Sequence, residues 1–416
     1  MKSRAIVEYI LAAVLVVILG SLAGWYFFLR TQTETTALQS AARGFGIAIP
    51  EGSAGGDTSS PPQGTDTGVS GMEPAQRPAQ LWQVEQKPTA GHTFLGSGEN
   101  VRLRYVERAS GYVFEANPKT GFRTRLTNTL LPKIYEALIS ENGHVFERSI
   151  DTLGNITTFA GTISTSTDSS SASSSATMLL GSYLAKNIVS LSAHPVSGAL
   201  LYTVADAGGG AVVSAEWDGL KQKTLLGSAV LSWRPTVTED GRTFLVQAAA
   251  DDVPGYAYEI MKDGVLKRLL GPTPGLVMRI RTSPKTGADA LLWSQSTRGE
   301  LRLFARVGEQ ATPVQLPVRT TADKCAWSGG DGAVAYCGVP GGSAGQNFLD
   351  TWYRGAMHSS DALWRIDVGA GTAEMIYTPP SNTPIDIENV SIDRTAGYLA
   401  FTNALDKSLW LFRLTQ

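Results

Sequence analysis

Residues 323–340 read DKCAWSGGDGAVAYCGVP. Two short apolar runs flank a Gly-Gly-Asp-Gly turn, and the two cysteines of the chain stand on opposite arms. A turn centred on Asp331 sets Cys325 opposite Cys337 and Trp327 opposite Ala335, the pairing of a β-hairpin. Two cysteines with no histidine nearby fall short of the four ligands of a closed zinc site. A disulfide in an oxidising compartment is therefore expected, with a reduced structural pair as the alternative.

Outward from this hairpin, similar strand–turn–strand units recur. They read SLSAHPVSGALLYTV around Gly198, SWRPTVTEDGRTFLVQ around Gly241, RIRTSPKTGADALLWSQ around Gly287 and VSIDRTAGYLAFTNA around Gly397. With Gly332 of the hairpin included, successive glycines are 43, 46, 45 and 65 residues apart, and the longest gap implies an insertion. Two earlier units run from Thr93 through VRLRYVERASGYVFEAN to RTRLT, and from KIYEALISENGHVFERSID to a strand near Met178. A period of about 45 residues built from short β-rich runs is the mark of a propeller. Four strands per unit give seven units, but the last (ENVSID, YLAFTNA, SLWLFRL) runs out of chain after three, while LWQVE at 81–85 is left over at the front. If that N-terminal strand completes the last blade, the ring closes and an exposed sheet edge disappears. The expected fold is all-β, a seven-bladed β-propeller over residues 81–416.

The runs HPVSGALLYT, SPKTGADALLW and DRTAGYLAF resemble degenerate versions of the turn of TolB-like, WD-repeat-like β-propellers. That resemblance covers roughly residues 81–416 and implies a fold far more than a function. The polar stretch at 31–80, the VRLRYVERASG opening, the cysteine pair and the DTWYRG segment are also similar to those of membrane-anchored bacterial propellers. The Gly-His…Trp-Asp signature of true WD repeats is not carried by any unit; Gly91-His92, Gly143-His144 and Trp217-Asp218 occur only as isolated dipeptides.

Residues 9–29 form a run of 21 without a charge, which as a helix spans about 31 Å and matches a hydrocarbon core of about 30 Å. Lys2 and Arg4 precede it, favouring a cytoplasmic N-terminus and an extracytoplasmic propeller. Residues 1–30 are accordingly expected to be a transmembrane anchor in the cell membrane. A cleaved signal peptide is the competing reading, since Ser21-Leu22-Ala23 resembles a cleavage site, although Trp25 to Leu29 continue the apolar stretch past it. Residues 31–80 are rich in Gly, Ser, Thr, Pro and Gln, too polar to bury a core, and are expected to be a disordered tether.

In a meander of strands A to D, loops AB and CD leave on one face and loops BC and DA on the other. Asn142-Gly143, Asp218-Gly219, Asp240-Gly241, Asp263-Gly264 and Asp331-Gly332 fall at AB or CD turns, where positive φ is required. That face is short apart from the Ser-rich residues 164–176, expected to be a disordered loop. The opposite face receives the insertion at 339–361. Trp217, Trp233, Trp293, Trp327, Trp364 and Trp410 map onto strands as packing between blades, whereas Trp352 does not. With Asp350, Tyr353 and Arg354 it has the aromatic and arginine composition of binding hot spots; the alternative is that the loop folds back and plugs the channel. Asp251, Asp252, Arg319, Asp386 and Asp406 are expected on the same face. The adjacent Asp251 and Asp252 lack a calcium-loop pattern and read as a solvated turn.

The formal net charge of -2 leaves no electrostatic footprint for nucleic acid. His92, His144, His194 and His358 are scattered without metal spacing. Residues 341–345, GGSAG, satisfy a nucleophile-elbow expression, but Pro340 precedes them and a polar loop follows. No catalytic residue, metal ligand or cofactor is assigned. The favoured expectation is a membrane-tethered binding or scaffold propeller for a protein, peptide or glycan partner on the face carrying residues 339–361. The alternative is a hydrolase or lyase of the cell envelope using channel-mouth carboxylates, Asp251, Asp252 and Asp386.

Overall fold

A computed structural model describes residues 79–165, 177–206, 209–283, 287–330, 332–342, 345 and 347–414. It contains seven antiparallel four-stranded sheets. Taking strands from the inside out, blade 1 is Thr89–Leu95, Arg102–Glu107, Val113–Ala116 and Arg123–Arg125, and blade 2 is Glu136–Ile139, His144–Ile150, Ile156–Thr165 and Thr177–Tyr183. Blade 3 is Ile188–Ala193, Leu200–Asp206, Gly209–Ala215 and Lys223–Ser228; blade 4 is Trp233–Val237, Thr243–Gln247, Pro254–Ile260 and Leu266–Pro274. Blade 5 is Val277–Thr282, Asp289–Thr297, Glu300–Val307 and Val314–Gln315, and blade 6 is Cys325–Trp327, Val334–Pro340, Asp361–Asp367 and Thr372–Tyr377. Blade 7 takes Ile387–Ile392, Tyr398–Asn403 and Leu409–Arg413 from the C-terminus and Leu81–Glu85 from the front of the chain. Leu81 faces Phe412 and Trp82 faces Leu411 across this closing pair. The ring is therefore shut by hydrogen bonds between its two ends, which removes an open edge.

The core follows the ring, with an apolar cluster in each gap between neighbouring blades. Blades 7 and 1 meet through Val84, Leu103, Tyr105, Ala400 and Leu411, and blades 5 and 6 through Val277, Leu292, Leu303, Cys325, Ala335 and Cys337. The alternation of side chains along each strand gives every blade one apolar face for each neighbour. Cys325 pairs with Cys337 and Trp327 with Ala335 in register, and the two cysteines are disulfide-bonded. Gly143, Gly219, Gly241 and Gly264 sit at the expected turns with φ of 79 to 84°, a region that costs a β-carbon. Asp331, Ser343, Ala344 and residues 166–176 lie outside the described residues.

Trp217 departs from the expected pattern, lying in a turn and stacking on His144 of blade 2 at 4.3 Å between ring centroids. It still joins two blades, but from a loop. The apolar run 9–29 and almost all of the tether also lie outside the described residues; among those described, no helix is long and apolar enough to cross a membrane. Because Leu81–Glu85 is the outer strand of blade 7, the chain enters on the AB and CD face, opposite the 341–360 insertion.

Candidate functional site

The insertion begins where Pro340 ends the second strand of blade 6, and it folds back as one short helix, α1, Phe348–Tyr353. Phe348, Leu349 and Trp352 are buried with Leu301 of blade 5. Trp352 is 3% exposed, which corrects the reading of this residue as a surface hot spot in favour of the plugging alternative. An aromatic residue flanked by Phe348 and Leu349 one turn away gains more from burial than from solvent.

Two polar clasps hold the helix. The Asp350 amide donates to Asp251 Oδ2 at 3.1 Å and the Asp251 amide donates to Asp350 Oδ1 at 3.2 Å, while the Ser296 hydroxyl completes the Asp251 carboxylate. The solvated turn expected at Asp251 is thus corrected, since that side chain is buried as a helix clasp. Asp252 remains exposed, adopts φ 59° and accepts the Arg298 amide. The second clasp centres on Asp386, which accepts from Trp352 Nε1 at 2.8 Å, Ser359 Oγ at 3.0 Å and Lys324 Nζ at 2.6 Å, with His358 Nδ1 at 3.0 Å. Lys324 is fully buried, bonds Asp361 and the Ile387 carbonyl as well, and lies 4.6 Å from the Trp352 ring centroid. A buried ammonium is tolerated because two carboxylates and a π-face surround it. Burial pushes the Asp361 carboxyl up, and Lys324 works against it.

Beside the plug, a cavity of about 750 Å³ occupies the channel. Tyr353 and Trp352 form part of its wall, together with side chains from the inner strands. Tyr353 Oη donates to Asp323 at 2.6 Å, Arg234 pairs with Asp323 at 2.9 Å and stacks over the Tyr353 ring at 4.6 Å, and Arg279 reaches Asp323 at 3.2 Å. Burial alone would raise the Asp323 carboxyl, but Arg234 and Arg279 hold it below the usual range. Burial and the Asp323 carboxylate together push the Tyr353 phenol well up, so it stays a neutral donor. On the blade 2 side, Arg148 pairs with Glu136 and lies over Tyr135 at 5.4 Å.

Of the residues named from sequence, the cavity brings together Trp352 and Tyr353. Asp251, Asp350 and Asp386 stand behind them as supports, and Arg319, Arg354 and Asp252 are exposed outside the cavity. Arg354 folds its Nε onto the Asp350 carbonyl at 3.0 Å. Sequence reading missed Arg108, Arg148, Arg234, Arg279, Asp323, Glu136 and Glu388. A signal was present: Glu136, Arg234, Arg279 and Glu388 each lie within the first three residues of an inner strand, where a charge has no blade interface to enter. Among the described residues, no group of three His, Cys, Asp or Glu side chains is placed to hold a metal ion.

No family model matches the chain, and no curated protein matches it. Among solved structures, the chain is similar to the Cps50 (Swd1) β-propeller domain of Myceliophteria thermophila, with TM-score 0.50 and 10% identity over 80% of this chain and all of that one. It is also similar to virginiamycin B lyase from Staphylococcus aureus (TM-score 0.48, 13% identity, 80% of this chain and 99% of that chain). Oligogalacturonate lyase from Vibrio parahaemolyticus follows, with TM-score 0.48, 9% identity and 81% of this chain against 94% of that chain. At these identities the likeness concerns the fold alone; the seven blades are those of the chain's own sheets, and its chemistry must be read from its own channel.

Proposed function

We propose that this propeller is a binding module, tethered to the cell membrane by residues 9–29 and facing the extracytoplasmic side, that takes a segment of a protein, peptide or glycan partner into the channel beside α1. The observation that carries this reading is the division of labour among the carboxylates. Asp251 and Asp386, suggested for hydrolase or lyase chemistry, are spent on backbone amides, Lys324 and Trp352, and none of Asp251, Asp252 and Asp386 lines the cavity. What does line it is the composition of a recognition site, with tyrosines, tryptophan and arginines around a volume typical of ligand pockets. The apolar run and the disulfide support the location, since disulfides persist in oxidising compartments.

The test is to probe peptide and glycan arrays with the detergent-solubilised full chain and with Tyr353→Ala. Binders that Tyr353→Ala loses, at unchanged circular dichroism, support the reading. Binders indifferent to Tyr353, or no specific binder, overturn it. Protease accessibility of the propeller in intact cells tests the orientation, and protection by the membrane contradicts it.

A further inference from the structure

Four guanidiniums line the cavity, those of Arg108, Arg148, Arg234 and Arg279, against three carboxylates, Glu136, Asp323 and Glu388. Each carboxylate is already engaged. Glu136 holds Arg148, Asp323 holds Arg234 and Arg279, and Glu388 holds Lys407 at 2.7 Å. Arg108 is left over. Its Nε donates to the Thr89 carbonyl at 2.9 Å, its Nη1 is buried without a hydrogen-bond partner, and among the described residues it enters no ion pair within 4 Å. Burial lowers its pKa, with Glu388 and Glu136 opposing only at longer range. A guanidinium with a desolvated, unused N–H is costly to a fold that gains nothing from it.

We propose that Arg108 is the anchor for a carboxylate carried by the ligand of this channel. The inference rests on the binding reading above and names the ligand chemistry. A planar carboxylate matches the guanidinium fork. The three lining carboxylates are drawn to Arg148, Arg234, Arg279 and Lys407, and none of them lies within 4 Å of the Arg108 guanidinium. An acidic group arriving from solvent completes the charge balance of the cavity, while the Tyr353 and Trp352 wall meets the rest of the ligand.

The experiment is calorimetric titration of the detergent-solubilised full chain with glutarate, with tetra-glutamate peptide and with inorganic phosphate, using wild type, Arg108→Gln, Arg108→Lys and the exposed control Arg354→Ala. Expected are saturable carboxylate binding, at least a tenfold loss in Arg108→Gln, partial recovery in Arg108→Lys, no change in Arg354→Ala, and weaker phosphate binding. Glutarate binding alone identifies a free acid, and tighter tetra-glutamate binding identifies an acid borne on a larger partner; either supports the anchor. Carboxylate binding unaltered in Arg108→Gln overturns it, as does phosphate binding equal to carboxylate. Array binders that need Tyr353 but not Arg108 also overturn the anchor while leaving the binding reading in place. Folding is checked by thermal denaturation, where Arg108→Gln, which removes an uncompensated charge, is expected to be no less stable than wild type.

Discussion

Trp352 Nε1 donates to both oxygens of Asp386, at 2.8 and 3.1 Å, with the two side chains buried at 3% and 0% exposure. This contact ties the insertion of blade 6 to the loop entering blade 7. Trp352→Phe keeps much of the ring but removes a donor from a buried carboxylate, and a loss of about 1–3 kcal/mol is expected. Trp352→Ala also opens a cavity, with about 3–5 kcal/mol lost. Urea midpoints of the two variants check this; equal midpoints for Phe and wild type would show that the indole N–H contributes nothing.

The Cys325–Cys337 disulfide closes a loop with a sequence separation of 12, for which chain entropy gives about 3 kcal/mol. Reduction, or alanine at both positions, is expected to lower the unfolding midpoint accordingly while the hairpin register persists. Thiol labelling of the unreduced, denatured chain is expected to find no free cysteine.

Glu147 is buried on the second strand of blade 2 and neither carboxylate oxygen has a hydrogen-bond partner. Burial pushes its pKa from 4.5 up to about 9. Its folded form therefore binds a proton more tightly than its unfolded form, so its contribution is fully present below pH 4.5 and is lost as pH rises toward 9. By pH 7 the loss amounts to about 3 kcal/mol. Glu147→Gln is expected to gain stability relative to wild type as pH rises from 5 to 9; a pH-independent difference would contradict this.

His92, in the channel wall, runs the other way. Burial lowers its pKa from 6.5 to about 4, so it contributes stability above pH 6.5 that is lost as pH falls toward 4. Thermal scans of wild type and His92→Gln between pH 4 and 7 should converge at the acidic end, with the wild type losing more. Parallel curves would show that His92 titrates normally.

The fold was legible because each blade repeats the same local physics. Gly143 and Gly241 supply turns, consecutive apolar residues such as Val145 and Phe146 or Leu245 and Val246 fall to opposite blade interfaces, and Leu81–Glu85 pairs with the otherwise unfinished last blade. The site was legible only in outline. Trp352 announced itself by standing outside the strand pattern, but whether a loop aromatic points outward or inward depends on partners such as Lys324 and Asp386, which are 28 and 34 residues away in sequence. The channel charges are spread over seven blades, and their convergence is a property of the closed ring rather than of any one repeat.

The channel beside α1 is the proposed binding site. Val189, on the inner strand of blade 3, lines this cavity and is 40% exposed there. Val189→Trp fills the space without touching a blade interface. The decisive measurement is the equilibrium affinity of array-identified ligands for wild type and Val189→Trp at matched thermal stability. At least a tenfold loss is expected on filling the channel, and unchanged affinity with the channel filled would rule out binding there.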